Sequence, residues 1–140
     1  MPIVYITRRE SFSAAHRLHA PALSDEENQR IFGKCNHIHG HGHNYDVEVT
    51  VKGMVDPLTG MVMNITDLKI AMKDVLKDLD HRHLDMDVLY FKTRPSTAEN
   101  IAIYIWEMLE PRIPAQAHLH EVRVEETRNN TAIYRGEHQL

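Results

Sequence analysis

The sequence predicts an α+β domain: a four-stranded antiparallel sheet with two helices on one face, in the order β-β-α-α-β-β. Three observations carry this. Both ends of the chain alternate apolar and polar residues, as half-buried strands do. Two stretches between them have helical spacing and capping signals. No linker, repeat or low-complexity segment divides the 140 residues, so positions 1–140 form one domain.

Residues 3–16 alternate through Val4, Ile6, Phe12 and Ala14, a long strand on which His16 shares the parity of Phe12 and Ala14. Residues 17–34 form an excursion. Within it Ser24 and Glu27 make a capping box that opens a short helix, and Gly33 closes it. Residues 43–53 alternate again, with Tyr45, Val47, Val49 and Val51 on one face. The turn cluster Asp56-Pro57-Leu58-Thr59-Gly60 follows, and residues 60–65 are expected to return as a strand, completing a hairpin.

Thr66 is the expected cap of a helix over 67–79, whose apolar positions Leu68, Ala71, Met72, Val75, Leu76 and Leu79 fall on one stripe. Residues 80–95 read as a loop. Ser96 and Glu99 form a second capping box for a helix that runs to Glu110 and stops at Pro111. That helix is apolar around most of its circumference and calls for more cover than one sheet supplies. Strands near 118–127 and 131–136, joined at Asn129-Asn130, complete the set. The free sheet edges and second face predict an oligomer.

Composition narrows the function. A net charge of −4 argues against a nucleic-acid partner, because phosphate contacts need a basic face. The longest apolar run, Ile101 to Trp106, is far short of the ~18–20 residues that cross a bilayer, so no membrane association is expected. At the start, apolar residues precede Arg8 and Arg9, the reverse of a secretory signal. One cysteine permits no intrachain disulfide and fits a reducing compartment.

Histidine stands out: there are 11, and His37, His39, His41 and His43 alternate toward the second strand. Residues i and i+2 of a strand share a face, so two imidazoles can converge on one ion. His41 and His43 are the favoured pair and His16 a plausible third ligand; the alternative is hydrogen-bonded surface histidines. Three neutral nitrogens with an open fourth position describe a catalytic rather than a structural zinc.

Cys35 is either a small buried hydrophobe or, beside the histidine run, a thiol of lowered pKa able to act as base or nucleophile. Asp80-His81 can orient and stabilise a protonated imidazole, or be part of a solvated charged loop. Glu126 has the parity of the core-facing Val122 and Val124. A carboxylate there needs donors, and a planar ligand with two adjacent N–H groups would supply them; otherwise the strand has ended or bulged by 126, or an arginine pairs with it. Arg8-Arg9-Glu10-Ser11 has the form of a basophilic kinase site, which a charged edge strand explains equally well.

The chain resembles the 6-pyruvoyl tetrahydropterin synthase family, animal type. The matching segments are Phe12-Ser13-Ala14-Ala15-His16-Arg17-Leu18, LSDEEN at 23–28, FGKCN at 32–36, HGHNY at 41–45, GMVMN at 60–64, LDHRHLDMD at 79–87, STAEN at 96–100 and EETRNN at 125–130. The resemblance implies the T-fold, three copies of which close into a twelve-stranded barrel, with two trimers stacked as a homohexamer. It implies Zn2+ held by His16, His41 and His43. Cys35 matches the catalytic cysteine, with Asp80 and His81 completing a relay. Glu126 matches the pterin anchor, and Thr97 and Glu99 the wall of the pterin pocket. Ala98 departs from a threonine often found there, and Glu125 from the tyrosine of vertebrate members. His37 and His39 match no role.

The implied reaction converts 7,8-dihydroneopterin triphosphate into 6-pyruvoyl-5,6,7,8-tetrahydropterin and triphosphate, in tetrahydrobiopterin biosynthesis, in the cytoplasm. Arg17, Lys34 and Arg82 are candidates to meet the triphosphate. The rivals are 6-carboxy-tetrahydropterin synthase of the deazaguanine pathway, which shares the zinc trio, cysteine and Asp-His pair, and a non-catalytic zinc-binding T-fold protein.

Overall fold

β1 (Ile3–His16) and β2 (His41–Met54) run antiparallel over their whole length, Ile3 opposite Met54 and His16 opposite His41. The computed structural model describes residues 1–140. Its further elements are α1 (Asp25–Phe32), α2 (Ile65–Leu76), β3 (Arg82–His83), α3 (Leu84–Asp87), α4 (Ala98–Leu109), β4 (Ala117–Thr127) and β5 (Asn130–Tyr134). The sheet order is β3-β1-β2-β4-β5. The main strands and the two long helices follow the expected β-β-α-α-β-β order. The two-residue β3 adds a fifth, parallel strand, pairing Ala14 with Arg82 and Ala15 with His83, so the sheet is mixed rather than four-stranded and purely antiparallel.

The expected hairpin is not formed. β2 already has β1 on one edge and β4 on the other, which leaves no edge for residues 60–65. They instead close a turn, the Gly60 N–H donating to the Asp56 carbonyl at 2.7 Å, and then bury Val62 and Met63. α2 starts at Ile65, and its cap is Asn64, whose side chain accepts from the Thr66 N–H. α2 buries the expected stripe of Leu68, Ala71, Met72, Val75 and Leu76, and Leu79 is buried just beyond its end. Ser24 caps α1 as expected, and Gly33 at φ 56° ends it.

One face of the sheet carries the core: Phe12, Tyr45, Val47, Val49, Val51, Val122 and Val124 pack with α2 and α4. The opposite face is polar. Arg9 spans Asp46, Glu48 and Glu125, and Thr7 meets Thr50. That face therefore makes no hydrophobic demand for cover. The demand comes from the edges, since β1 has a neighbour on its far side only at Ala14 and Ala15.

α4 packs on β4, β5 and α2, and Met108 stays exposed. Trp106 lies on the chain beyond β5, where Gly136 sits at φ 76°; a Cβ there would stand 2.6 Å from the indole. No helix is long and apolar enough to cross a membrane.

Candidate metal centre and active site

The β1–β2 register brings the histidines together. His16 ends β1 directly opposite His41, and His43 lies two residues further along β2 on the same face. The entry to β2 comes this close because Gly40, at φ 75°, has no side chain; a Cβ would stand 2.7 Å from the His16 carbonyl oxygen.

Nε2 of His16 and Nε2 of His41 are 3.1 Å apart. Two nitrogens on one tetrahedral zinc at ~2.0–2.1 Å stand ~3.3 Å from each other. One ligand atom from each of His16, His41, His43 and Glu126 lies within 4.8 Å of all the others. His43 Nε2 is buried with no hydrogen-bond partner, although Glu126 Oε1 is 3.0 Å away. His16 Nδ1 donates to the Ser96 carbonyl at 2.7 Å, which leaves its Nε2 lone pair facing the cluster. Burial pushes His16 down to about 4, against the opposing pull of its hydrogen bond to Ser96. Burial and His43 also lower His41. Neutral rings with converging lone pairs fit a divalent metal ion, and the cluster could hold one.

Glu126 reaches this cluster through a bulge. β4 and β5 pair Glu125 with Thr131 and Thr127 with Asn130, skipping Glu126. An earlier irregularity pairs Val51 with Leu119 and Thr50 with Glu121, skipping His120, so the inward parity changes from Leu119 to Val122. Both readings of Glu126 thus hold in part: the strand bulges, and the carboxylate still faces inward. Glu126 also lines a pocket of about 530 Å3 with Ala98, Glu99, Asn129, Asn130 and Thr131.

Thr97 borders that region as the cap of α4, its hydroxyl accepting from the Asn100 N–H at 3.2 Å. Ser96, the expected cap, is fully buried and donates instead to Asp85 at 2.7 Å. Adjacent hydroxyl residues at 96 and 97 offer two possible helix starts, and tertiary contacts select the second.

Asp80 and His81 are joined, Nδ1 to Oδ1, at 3.0 Å. The Ser13 N–H donates to Asp80 and holds its carboxyl below the ordinary carboxylate range. His81 has φ 60°, the only non-glycine residue with positive φ, and its ring is exposed. It lines a cleft of about 440 Å3 with Ser13, Gly42 and His43.

Cys35 sits in the turn 33–36, its thiol free and partly exposed. No hydrogen bond or ion pair joins it to Asp80 or His81 within the chain. His37 and His39 lie before β2 and are exposed. Of the triphosphate candidates, Arg17 donates through Nε to the Asn36 carbonyl, next to Cys35. Asp85 and Tyr45 fall inside the matched segments LDHRHLDMD and HGHNY, yet the sequence reading gives neither a role. The Tyr45 ring lies edge-on to His16 and His43, and its hydroxyl is buried without a partner. Its core parity was the available signal.

Comparison with known proteins agrees with this geometry. The chain is 54% identical over 140 residues to the 6-pyruvoyl tetrahydrobiopterin synthase of Drosophila melanogaster, covering 99% of this chain and 83% of that one. It is 55% identical over 133 residues to that of Homo sapiens, covering 94% and 91%. The solved structure of Caenorhabditis elegans 6-pyruvoyl tetrahydropterin synthase superposes with a TM-score of 0.94 at 51% identity, over 98% of each chain. Residues 5–137 match the family described as 6-pyruvoyl tetrahydropterin synthase, and the chain belongs to that family.

Proposed function

We propose that this protein is a zinc-dependent lyase converting 7,8-dihydroneopterin triphosphate into 6-pyruvoyl-5,6,7,8-tetrahydropterin and triphosphate. The observation that carries the reading is the convergence of His16, His41 and His43 beside Glu126 and its pocket.

His16, His41 and His43 would hold the ion and leave a position open. Zinc bound there supplies a Lewis acid for the substrate side-chain hydroxyls, which makes the adjoining C–H more acidic. Glu126 accepts two adjacent N–H groups of the pterin ring, with Thr97 and Glu99 on the pocket wall. Cys35, as thiolate, removes the C1′ proton, and His81, oriented by Asp80, moves protons between side chain and ring. C1′ is oxidised to a ketone as the N5=C6 bond is reduced, and C2′ is oxidised to a ketone as C3′ loses triphosphate, which leaves as the anion, and becomes the methyl group. No external redox cofactor enters this balance.

Cys35 and the Asp80–His81 pair are not joined within one chain, which supports a site shared between subunits. The open edge of β1 supports closure into a trimeric barrel, and two trimers would form the homohexamer. One free cysteine and the absence of a membrane-crossing helix agree with a cytoplasmic enzyme.

The test is turnover of dihydroneopterin triphosphate by protein carrying one zinc per chain, with products identified by mass. A pyruvoyl side chain supports the proposal. A carboxylate with released acetaldehyde indicates the 6-carboxy enzyme, and no turnover indicates a binding protein.

A further inference from the structure

Asp85 and Ser96 lie outside the ligand set, yet short hydrogen bonds connect both to it. Asp85 is in the first turn of α3 but does not serve that turn. Its Oδ2 accepts from the backbone N–H of Arg17, the residue directly after His16, at 2.7 Å. Its Oδ1 accepts from the Ser96 hydroxyl at 2.7 Å. The Ser96 carbonyl in turn accepts from His16 Nδ1 at 2.7 Å. Local duty in the same turn falls to Asp87, which accepts from the His83 N–H at 2.9 Å. Asp85 therefore ties together the end of β1, the helical turn and the segment before α4.

We propose that Asp85 and Ser96 are positioning residues that clamp His16 as a metal ligand, fixing its ring orientation and its Nδ1–H tautomer; this rests on the metal reading above. The Ser96 carbonyl can accept only from a protonated Nδ1, so a neutral ring must offer Nε2 to the metal. Asp85 controls where that carbonyl stands, because it holds the Ser96 hydroxyl and the His16–Arg17 backbone with two charge-assisted bonds. Histidine ligands are commonly oriented by a carboxylate or a carbonyl on the far ring nitrogen; here a serine joins the two in series. Ser96 is fully buried, which shields its end of the link from solvent.

The test is zinc affinity by chelator competition on full-length protein, with Co2+ absorption spectra as a second reading of ligand geometry. Asp85→Asn is expected to lose ~10–100-fold in zinc affinity, as outer-shell partners typically do, and to change the Co2+ spectrum. Ser96→Ala keeps the carbonyl and removes the hydroxyl, with both its bond to Asp85 and its 3.3 Å approach to His16 Nδ1, so it stays informative if Asp85→Asn fails to fold; a smaller loss in the same direction is expected. Asp87→Asn, in the same turn but unconnected to His16, is expected to bind zinc as the wild type does. Wild-type affinity and spectrum in a folded Asp85→Asn or Ser96→Ala protein overturn the clamp alone. An equal loss in Asp87→Asn overturns it too, since any disturbance of the turn would then suffice. If wild-type protein binds no zinc, the metal reading and the clamp fall together.

Discussion

Nε2 of His43 lies 3.0 Å from Oε1 of Glu126, and the two are not hydrogen-bonded. The carboxylate sits off the ring N–H direction. A buried nitrogen without a partner is costly in a finished core, and the cost is removed if the lone pair has a metal to meet. His43→Ala and His41→Ala are each expected to lose zinc, by more than the ~10–100-fold typical of an outer-shell change. Metal analysis of dialysed protein checks this; one zinc per chain in either variant removes that histidine from the centre.

Glu126 lines one pocket with Glu99 and is the residue proposed to anchor the pterin ring there. Glu126→Gln keeps the shape and loses the charge. A hydrogen bond to a charged group contributes about 1.5–3 kcal/mol, so pterin affinity should weaken roughly 10–100-fold. Calorimetry with a non-reacting pterin measures it. Unchanged affinity would reassign the anchor.

Cys35→Ala is expected to keep zinc and pterin binding while losing turnover by ~100–10,000-fold, the range for removal of a general base. The separation of binding from rate is the diagnostic. A variant as active as wild type would transfer the proton abstraction to another group.

Burial holds His16 at about 4 in the metal-free chain, against an ordinary 6.5. Between those values the unfolded chain binds the extra proton and the folded chain does not. Stability of the apoprotein therefore falls as pH drops from 6.5 toward 4, by roughly 3 kcal/mol in all. Urea unfolding of chelator-treated protein at pH 7 and pH 4 measures the loss. It should be smaller in His16→Gln, and an equal loss in that variant would mean other groups carry it.

Gly136→Ala sets a Cβ 2.6 Å from the Trp106 ring at a positive φ. It should destabilise by about 1–3 kcal/mol. Thermal denaturation reads this directly, and an unchanged midpoint would show that the segment after β5 is free to move off the indole.

Much of this architecture was legible because alternation and helical spacing survive into the fold. The faces of β2 and α2 and the capping of α1 by Ser24 were readable residue by residue. Choices between chemically equal neighbours were not. Ser96 and Thr97 both suit a helix start, and only the pull of Asp85 on Ser96 decides between them. Residues 60–65 have strand composition, but the edge they would occupy belongs to β4. His16, His41 and His43 were visible as a spacing; Asp85, whose part depends on reaching a backbone amide 68 residues away, had no local signature.

His81 occupies a backbone conformation that suits glycine, at φ 60°. Such a position costs of order 1 kcal/mol and persists where the surroundings impose it. Selection of variants for heat resistance alone would thus drift toward glycine or asparagine at residue 81 and discard the imidazole proposed to carry protons. A thermostable descendant obtained that way would be an inert relic of the enzyme, sounder as a scaffold than its parent and without its chemistry.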